Sequence, residues 1–148
     1  MSSRTATLME VLLVEDSPAD ARLVVKAFAN NGGDVRVTVA EDGERALEML
    51  RHPGDPSAAP TPDLILLDLN LPRLDGREVL AAVKEDPQLK HIPVIVFTGS
   101  NAPLDILTSY RLRANCYVQK PFSFADLAAT VKMIQDFWLT LATLPKFD

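Results

Sequence analysis

Residues 11–20 read VLLVEDSPAD, and this stretch decides the fold. Four apolar residues, enough for a short buried strand, lead directly into two adjacent acids, Glu15 and Asp16. Ser17 and Pro18 then have the form of a helix N-cap followed by proline in the first turn. Two like charges at the end of a buried strand repel each other unless something positive compensates them. The stretch therefore predicts a strand–helix unit with a polar site at the end of its strand.

The rest of the chain alternates strand-length apolar runs with segments of helical periodicity. The strands are predicted at 9–14, 35–40, 63–69, 93–98 and 116–119. The helices are predicted at 18–30, 42–51, 74–86, 101–113 and 123–143. Strands separated by helices run parallel through right-handed crossovers. We therefore expect an α/β protein with a flavodoxin-like, doubly wound (βα)5 fold, whose five-stranded parallel sheet has the order 2-1-3-4-5.

Length and composition favour a single domain over 1–148, with its core at about 9–143 and no output domain. The net charge of −5 argues against a nucleic-acid partner, and no apolar run is long enough for a membrane span. The N-terminus lacks the apolar core of a signal peptide, and the single cysteine, Cys116, excludes an internal disulfide. Both features favour the cytoplasm. The stretch 52–62 has four prolines in eleven residues and predicts an exposed loop.

Polar side chains follow three further strands at their predicted carboxyl ends: Asp68, Thr98 and Lys120. In the predicted strand order they meet Glu15 and Asp16 at one edge of the sheet, where ligands of such folds bind. Clustered carboxylates need a positive partner, and a set of oxygen ligands suits Mg²⁺. An aspartate in this setting can attack phosphorus and form an aspartyl phosphate. A nearby lysine can hold a phosphoryl oxygen, so the pattern predicts phosphoryl chemistry at this edge.

The segments VEDSPAD, LDLNLPRLDG, VFTGS and VQKPF resemble the signature segments of two-component response-regulator receiver domains. The spacing agrees as well: 30 residues separate Asp68 from Thr98, and 22 separate Thr98 from Lys120. The resemblance extends from about Met9 to about Thr143. It implies a phosphoprotein of a phosphorelay, which accepts a phosphoryl group and is not an enzyme in the ordinary sense.

The resemblance implies a role for each acid. Asp68 matches the phosphoacceptor of the family. Glu15 and Asp16 match the acidic pair that holds Mg²⁺, and Asp68 completes the carboxylate set. Asn70 matches the position whose backbone carbonyl is a further metal ligand.

The resemblance also implies a switch. Thr98 matches the hydroxyl that moves to bond the phosphoryl group, and Lys120 matches the lysine that contacts it. Tyr117 matches the aromatic residue that turns inward when Thr98 shifts. The bond between Lys120 and Pro121 matches a peptide bond that is usually cis in the family.

The pattern EDSPADARLVVKAF resembles the small regulators that are paired with phytochrome histidine kinases. It implies that the partner is a sensor histidine kinase of the phytochrome type. The last predicted helix is more apolar than one face of a sheet requires, and Phe137, Trp138 and Leu141 extend its apolar surface. We expect these residues to form an interface in a homodimer through helix 4, strand 5 and helix 5.

Three alternatives compete with this interpretation. A phosphatase of the haloacid dehalogenase type would need an aspartate two residues after the nucleophile, where this chain has Asn70. A flavodoxin would need a hydroxyl-rich phosphate loop after the first strand. A pseudo-receiver or phosphorelay intermediate would bind partners without a phosphorylation-dependent output of its own.

Overall fold

A computed structural model describes residues 8–51 and 61–145 as one parallel sheet with helices on both faces. The strands are β1 (Met9–Val14), β2 (Val35–Ala40), β3 (Leu64–Leu67), β4 (Val94–Thr98) and β5 (Cys116–Gln119). The helices are α1 (Pro18–Asn30), α2 (Gly43–Arg51), α3 (Gly76–Glu85), α4 (Pro103–Arg111) and α5 (Phe124–Ile134), which continues into a terminal segment (Gln135–Leu141). Of the predicted loop 52–62, all but the last two residues lie outside the described ranges. Within those ranges no helix has the length and hydropathy needed to cross a bilayer.

The sheet has the order β2-β1-β3-β4-β5 with every neighbouring pair parallel, which confirms the predicted topology. In the central pairs Val14 lies beside Leu67, and Leu67 lies beside Val96. Because the three strands run in the same direction, the residues that follow these positions emerge at the same edge. That edge carries the polar side chains singled out in the sequence.

The core consists of two apolar layers, one on each face of the sheet. Successive strand residues point to opposite faces, so a strand covered on both sides is apolar throughout. The layer under α2 and α3 contains Leu12, Val14, Ile65, Leu67, Val94 and Val96. The layer under α1 and α5 contains Val11, Leu13, Leu64, Leu66, Ile95 and Phe97. Burial on both faces fixes the three central strands and therefore the positions of their ends.

Side-chain caps fix where most of the helices begin. The oxygens of Ser17, Asp75 and Ser123 accept hydrogen bonds from backbone N–H groups in the first turns of α1, α3 and α5. Asp42 does the same for α2, as its position in the sequence predicts. Helix α4 has Ala102 at its N-cap, with no side-chain hydrogen bond there. The start of α4 is therefore held by other contacts.

The last helix differs from the prediction of one continuous α-helix over 123–143. The α-helix ends at Ile134, and the terminal segment continues as wider π-helical turns. Gln135 is buried at this transition, and its Nε2 donates a hydrogen bond to the carbonyl of Gly32 at 2.8 Å. This contact joins the start of the terminal segment to the turn that follows α1. Apolar spacing over seven residues does not separate the two helix types, which is why the transition escaped prediction.

Candidate functional site

Three carboxylates form an acidic cluster at the carboxyl edge of the sheet: Glu15, Asp16 and Asp68. Each offers an oxygen that lies within 4.8 Å of the oxygens of the other two. Glu15 and Asp68 are buried, whereas Asp16 is exposed. The Asp68 N–H donates to the carbonyl of Val14 at 3.1 Å, so the β1–β3 ladder continues into the cluster. The sequence pattern predicted this grouping, and the structure brings the three residues together.

Lys120 supplies positive charge at the centre of the cluster. Its Nζ donates to a carboxylate oxygen of Glu15 and to Oδ2 of Asp68, the latter at 3.1 Å. It also forms an ion pair with Asp20 at 3.5 Å. Sequence reasoning missed Asp20, although its place in the first turn of α1, four residues after Asp16, was a usable signal. Lys120 therefore links β5 to both acidic strand ends.

The electrostatics of the pair depend on burial and charge together. Burial raises the pKa of Glu15, and the Lys120 hydrogen bond opposes that rise only in part. Burial also acts to lower the pKa of Lys120, but the hydrogen bonds and charges of Glu15 and Asp68 outweigh it, and the pKa is raised. The lysine is thus held in its charged form, and further positive charge near Glu15 would favour the charged form of that carboxylate.

Both oxygens of the Asp68 carboxylate are engaged by donors. Oδ1 accepts from the Thr98 hydroxyl at 2.8 Å and from the Asn70 N–H at 3.3 Å. Oδ2 accepts from Lys120. Thr98 is fully buried, so its hydroxyl depends on this bond to satisfy its donor. The carboxylate is consequently held in one orientation between a hydroxyl and an ammonium group.

The chemistry of the donor set fits a hard divalent cation. The acidic cluster offers only oxygen ligands, and two of them sit on adjacent residues with one side open to solvent. Mg²⁺ prefers a few carboxylates and keeps several water ligands, which this half-exposed cluster allows. Glu15, Asp16 and Asp68 are the residues that could hold it. The backbone carbonyl of Asn70 stays a predicted fourth ligand.

Tyr117 connects β5 to the loop that follows Thr98. Its hydroxyl donates to the carbonyl of Ser100 at 2.9 Å, and its N–H donates to the hydroxyl of Tyr110 at 3.1 Å. Its ring is half-buried and packs on the α2–α3 layer of the core. Sequence reasoning missed Ser100 and Tyr110, because nothing in their local sequence indicates these partners.

One implied feature of this region is wrong. No peptide bond within 8–51 and 61–145 is cis, so the bond between Lys120 and Pro121 is trans. A trans bond is the commoner form even before proline. Phe122, the next residue and the last of the segment VQKPF, is 99% exposed beside the site.

The predicted interface residues fall into two groups. Phe137 is half-exposed and Leu141 is 74% exposed, and Met133 on α5 is also exposed. Trp138, in contrast, packs against the α1–α5 layer of the core, and its ring meets that of Phe137 edge-on at 5.1 Å between centroids. Trp138 therefore supports the apolar surface from beneath.

Comparison with known proteins agrees with this geometry. The family model for the response regulator receiver domain matches residues 11–132. Response regulator Rcp1 of Synechocystis sp. is 45% identical over 145 residues, which cover 98% of this chain and 99% of Rcp1. The crystal structure of the phosphorylated cyanobacterial phytochrome response regulator RcpA matches with a TM-score of 0.89 and 48% identity, over 95% of this chain and 100% of that one.

The structure of the Mn²⁺-bound form of Rcp1 matches with a TM-score of 0.85 and 46% identity, over 93% of this chain and 99% of that one. The metal in that relative agrees in kind with the oxygen-rich cluster found here. The family match, the strand order and the acidic cluster all point the same way. The chain belongs to the response-regulator receiver domain family.

Proposed function

We propose that this chain acts as a single-domain response regulator, which takes a phosphoryl group onto Asp68 from the phosphohistidine of a sensor histidine kinase. The observation that carries the proposal is the Asp68 carboxylate itself. It is buried among acids, yet a hydroxyl donates to one of its oxygens and an ammonium group to the other. The two donors stabilise the buried carboxylate, and both lie close enough to contact a phosphoryl group bound to it.

The transfer is a displacement at phosphorus. An Asp68 carboxylate oxygen attacks, a P–O bond forms, and the P–N bond to the kinase imidazole breaks. The bonding electron pair leaves with the imidazole nitrogen, which then takes up a proton. Lys120 offsets the negative charge that arrives on Asp68, and the Thr98 hydroxyl is within reach to donate to a phosphoryl oxygen. Bound by the acidic cluster and the Asn70 carbonyl, Mg²⁺ would supply the remaining positive charge.

Phosphorylation would act through the residues that surround Asp68. A phosphoryl group competes with the carboxylate for the Thr98 hydroxyl, and Thr98 is two residues before Ser100, which Tyr117 contacts. A change at Thr98 is thereby passed to β5 and to the loop before α4. In energetic terms the phosphoryl group shifts an equilibrium between two arrangements of these elements.

We propose that the kinase is of the phytochrome type and meets the protein in the cytoplasm. Support comes from the likeness to RcpA and Rcp1 across nearly the whole chain. A groove between α1 and the start of α5 gives such a partner a place to bind. Its lining includes Leu23, Phe122, Phe124 and Lys120. Because Lys120 also contacts Asp68, a helix of the kinase seated there would bring its phosphohistidine to the acceptor.

We further propose that a second copy of the chain covers the apolar side chains that are exposed on α4, α5 and the terminal segment. The large apolar side chains exposed on these three elements are Leu104, Leu107, Tyr110, Met133, Phe137 and Leu141. Exposed apolar side chains that cluster on a protein surface often mark a site where a partner binds. A symmetric dimer through α4, β5 and α5 would bury these side chains on both partners at once.

Phosphorylation by acetyl phosphate tests the acceptor without a kinase. In the presence of Mg²⁺, the wild type should gain an acid-stable, base-labile phosphoryl group, measured as a mass increase of the intact protein. Asp68→Asn should gain none, and removal of Mg²⁺ with a chelator should suppress the reaction of the wild type. Asp34→Asn is the matched control, since Asp34 is an exposed aspartate away from the cluster.

Two results would contradict the proposal. Equal labelling of Asp68→Asn and the wild type would move the acceptor to another residue. A wild type that takes no phosphoryl group from acetyl phosphate or a kinase, but still binds the kinase, would identify a pseudo-receiver.

A further inference from the structure

Helix α4 is attached to the rest of the molecule by few apolar contacts. Its only buried residue is Ser109, whose hydroxyl donates to the carbonyl of Asp105 one turn earlier. Leu104, Leu107 and Tyr110 are exposed. Elements with little buried apolar surface are the first to move in a folded protein. The position of α4 therefore depends on polar contacts near its start.

The strongest of these contacts converge on Asp105. Oδ1 accepts a hydrogen bond from Arg77 Nη2 at 2.6 Å, and Oδ2 accepts one from the Ser100 hydroxyl at 2.6 Å. The Ser100 oxygen also accepts from the N–H of Ala102 at 3.2 Å. The Ser100 hydroxyl, followed by the Arg77 guanidinium, lowers the pKa of Asp105, which keeps the carboxylate charged. Asp105 thus ties the loop 99–102 to α4 and to α3 at once.

Arg77 is itself fixed relative to the acceptor strand. It follows Gly76, whose N–H donates to the carbonyl of Leu69 at 2.9 Å. A Cβ on Gly76 would lie 2.2 Å from the carbonyl oxygen of Asp68, so the backbone of α3 packs directly on the backbone of the acceptor. The Arg77 guanidinium is also held by the Asp75 carboxylate at 3.1 Å. The guanidinium is consequently anchored to the same backbone that carries Asp68.

We propose that Arg77 and Asp105 form a positioning pair, which holds the loop 99–102 so that Thr98 stays against Asp68. These contacts close a ring. On the inside the Thr98 hydroxyl bonds Asp68, and on the outside Arg77, next to the acceptor backbone, bonds Asp105, which bonds Ser100. The ring runs back to Thr98 through Gly99, where a Cβ would meet no atom within 4 Å.

The positioning pair should therefore affect phosphoryl binding at the site but not metal binding. The inference rests on the function proposed above, because the ring matters only if Asp68 carries a phosphoryl group that Thr98 must reach. Arg77 and Asp105 do not contact the acidic cluster, so they leave the metal ligands alone. Breaking the Arg77–Asp105 contact frees the loop 99–102. It thereby weakens the hydrogen bond that the Thr98 hydroxyl would donate to a bound phosphoryl group. Mg²⁺ binding should therefore be insensitive to the pair, and phosphoryl binding should depend on it.

Beryllofluoride, which mimics a phosphoryl group on aspartate, tests the pair when its affinity is measured at saturating Mg²⁺. Arg77→Gln and Asp105→Asn should each weaken its binding by about two- to fivefold, the range for one partly exposed ion pair. The double variant should be no weaker than either single variant, since both break the same contact. Arg77→Lys should recover part of the affinity because it keeps the charge. Mg²⁺ affinity in the absence of beryllofluoride should be unchanged in all of them.

The exposed pair Lys132–Asp136 on the last helix, at 3.2 Å, is the matched control. Lys132→Gln and Asp136→Asn should leave beryllofluoride affinity at the wild-type value. Wild-type affinity in Arg77→Gln, or fully additive losses in the double variant, would overturn the positioning role. A parallel loss of Mg²⁺ affinity would also overturn it and indicate general structural damage. A wild type that does not bind beryllofluoride would instead refute the proposed function, and the positioning role with it.

Discussion

At the scale of single residues, the site depends on satisfying groups that would be unfavourable alone. Glu15 and Asp68 are buried acids, and Lys120 is the cation between them. Removing one partner from such a group leaves a buried charge unpaired, which costs far more than the group gains when complete. The acids that follow the apolar ends of β1 and β3 are therefore stable in the folded protein only together with Lys120.

The Thr98 hydroxyl gives a prediction at this scale. Thr98→Val keeps the shape but removes the donor to Asp68, so the free energy of unfolding should fall by about 1.5–3 kcal/mol, the range for a hydrogen bond to a charged group. Beryllofluoride binding should weaken as well. Thr98→Ser removes one methyl group, which should lower the free energy of unfolding by about 1 kcal/mol. It keeps the hydroxyl and should therefore keep beryllofluoride binding. Chemical denaturation and titration of the two variants would check this, and equal binding by both would show that the hydroxyl is not used.

At the scale of elements, contacts at the ends of helices help to fix where one element lies relative to another. Gln135 joins the terminal segment to the turn after α1, where Gly32 and Gly33 both have positive φ, at 73° and 85°. That conformation is unfavourable for any residue with a Cβ. A Cβ on Gly33 would also come within 3.0 Å of Gln135 Nε2, whereas one on Gly32 would meet nothing within 4 Å.

The two glycines therefore form a matched pair of substitutions. Gly32→Ala should lower the free energy of unfolding by about 1 kcal/mol, which is the backbone cost alone. Gly33→Ala should lower it further, because Gln135 must shift and its bond to Gly32 lengthens. Thermal unfolding of the two variants, followed by Trp138 fluorescence, measures the difference. Equal losses would mean that Gln135 adjusts freely and does not fix the terminal segment.

The Asp105 carboxylate gives a prediction about pH. Its pKa lies below the ordinary value of 3.8, because the Ser100 hydroxyl and Arg77 favour the charged form. The ion pair therefore contributes stability that is fully present above the unfolded pKa and is lost as pH falls through the folded pKa. The gap in unfolding free energy between the wild type and Asp105→Asn should be constant near neutral pH and close below about pH 4. Denaturation at a series of pH values would show this, and a gap that persisted in strong acid would contradict it.

At the scale of the whole molecule, the fold predicted from the sequence agrees best with the structure for the strands that are buried on both faces of the sheet. The continuous apolar runs of β1, β3 and β4 predicted strands covered on both faces, and the flavodoxin-like strand order expected for such a fold then placed the acids at one edge. The ring through Arg77, Asp105 and Ser100 could not be predicted, because each residue looks like an ordinary surface side chain until the fold brings it to the others. Trp138, which packs inward, lies in the π-helical turns of the terminal segment, and apolar spacing does not reveal those turns.

The apolar side chains exposed on α4, α5 and the terminal segment predict that the protein forms a dimer. Leu141→Asp should abolish the dimer, because Leu141 is 74% exposed on the terminal segment and a charge there would be buried against the second copy. The folded monomer should lose little stability, since the side chain is already in solvent. Phe122→Asp is the control: Phe122 is more exposed still, but lies by the groove beside α1. Its dimer should be unaffected.

Sedimentation of the three proteins, with and without Mg²⁺ and beryllofluoride, separates the possibilities. A dimer in the wild type and Phe122→Asp, with a monomer in Leu141→Asp, places the second copy on the terminal segment. If the dimer forms only with beryllofluoride, the rearrangement that starts at Thr98 reaches α4 and this surface, because α4 has too little apolar burial to resist it. A wild type that stays monomeric in every condition would mean that the exposed apolar side chains serve a different partner.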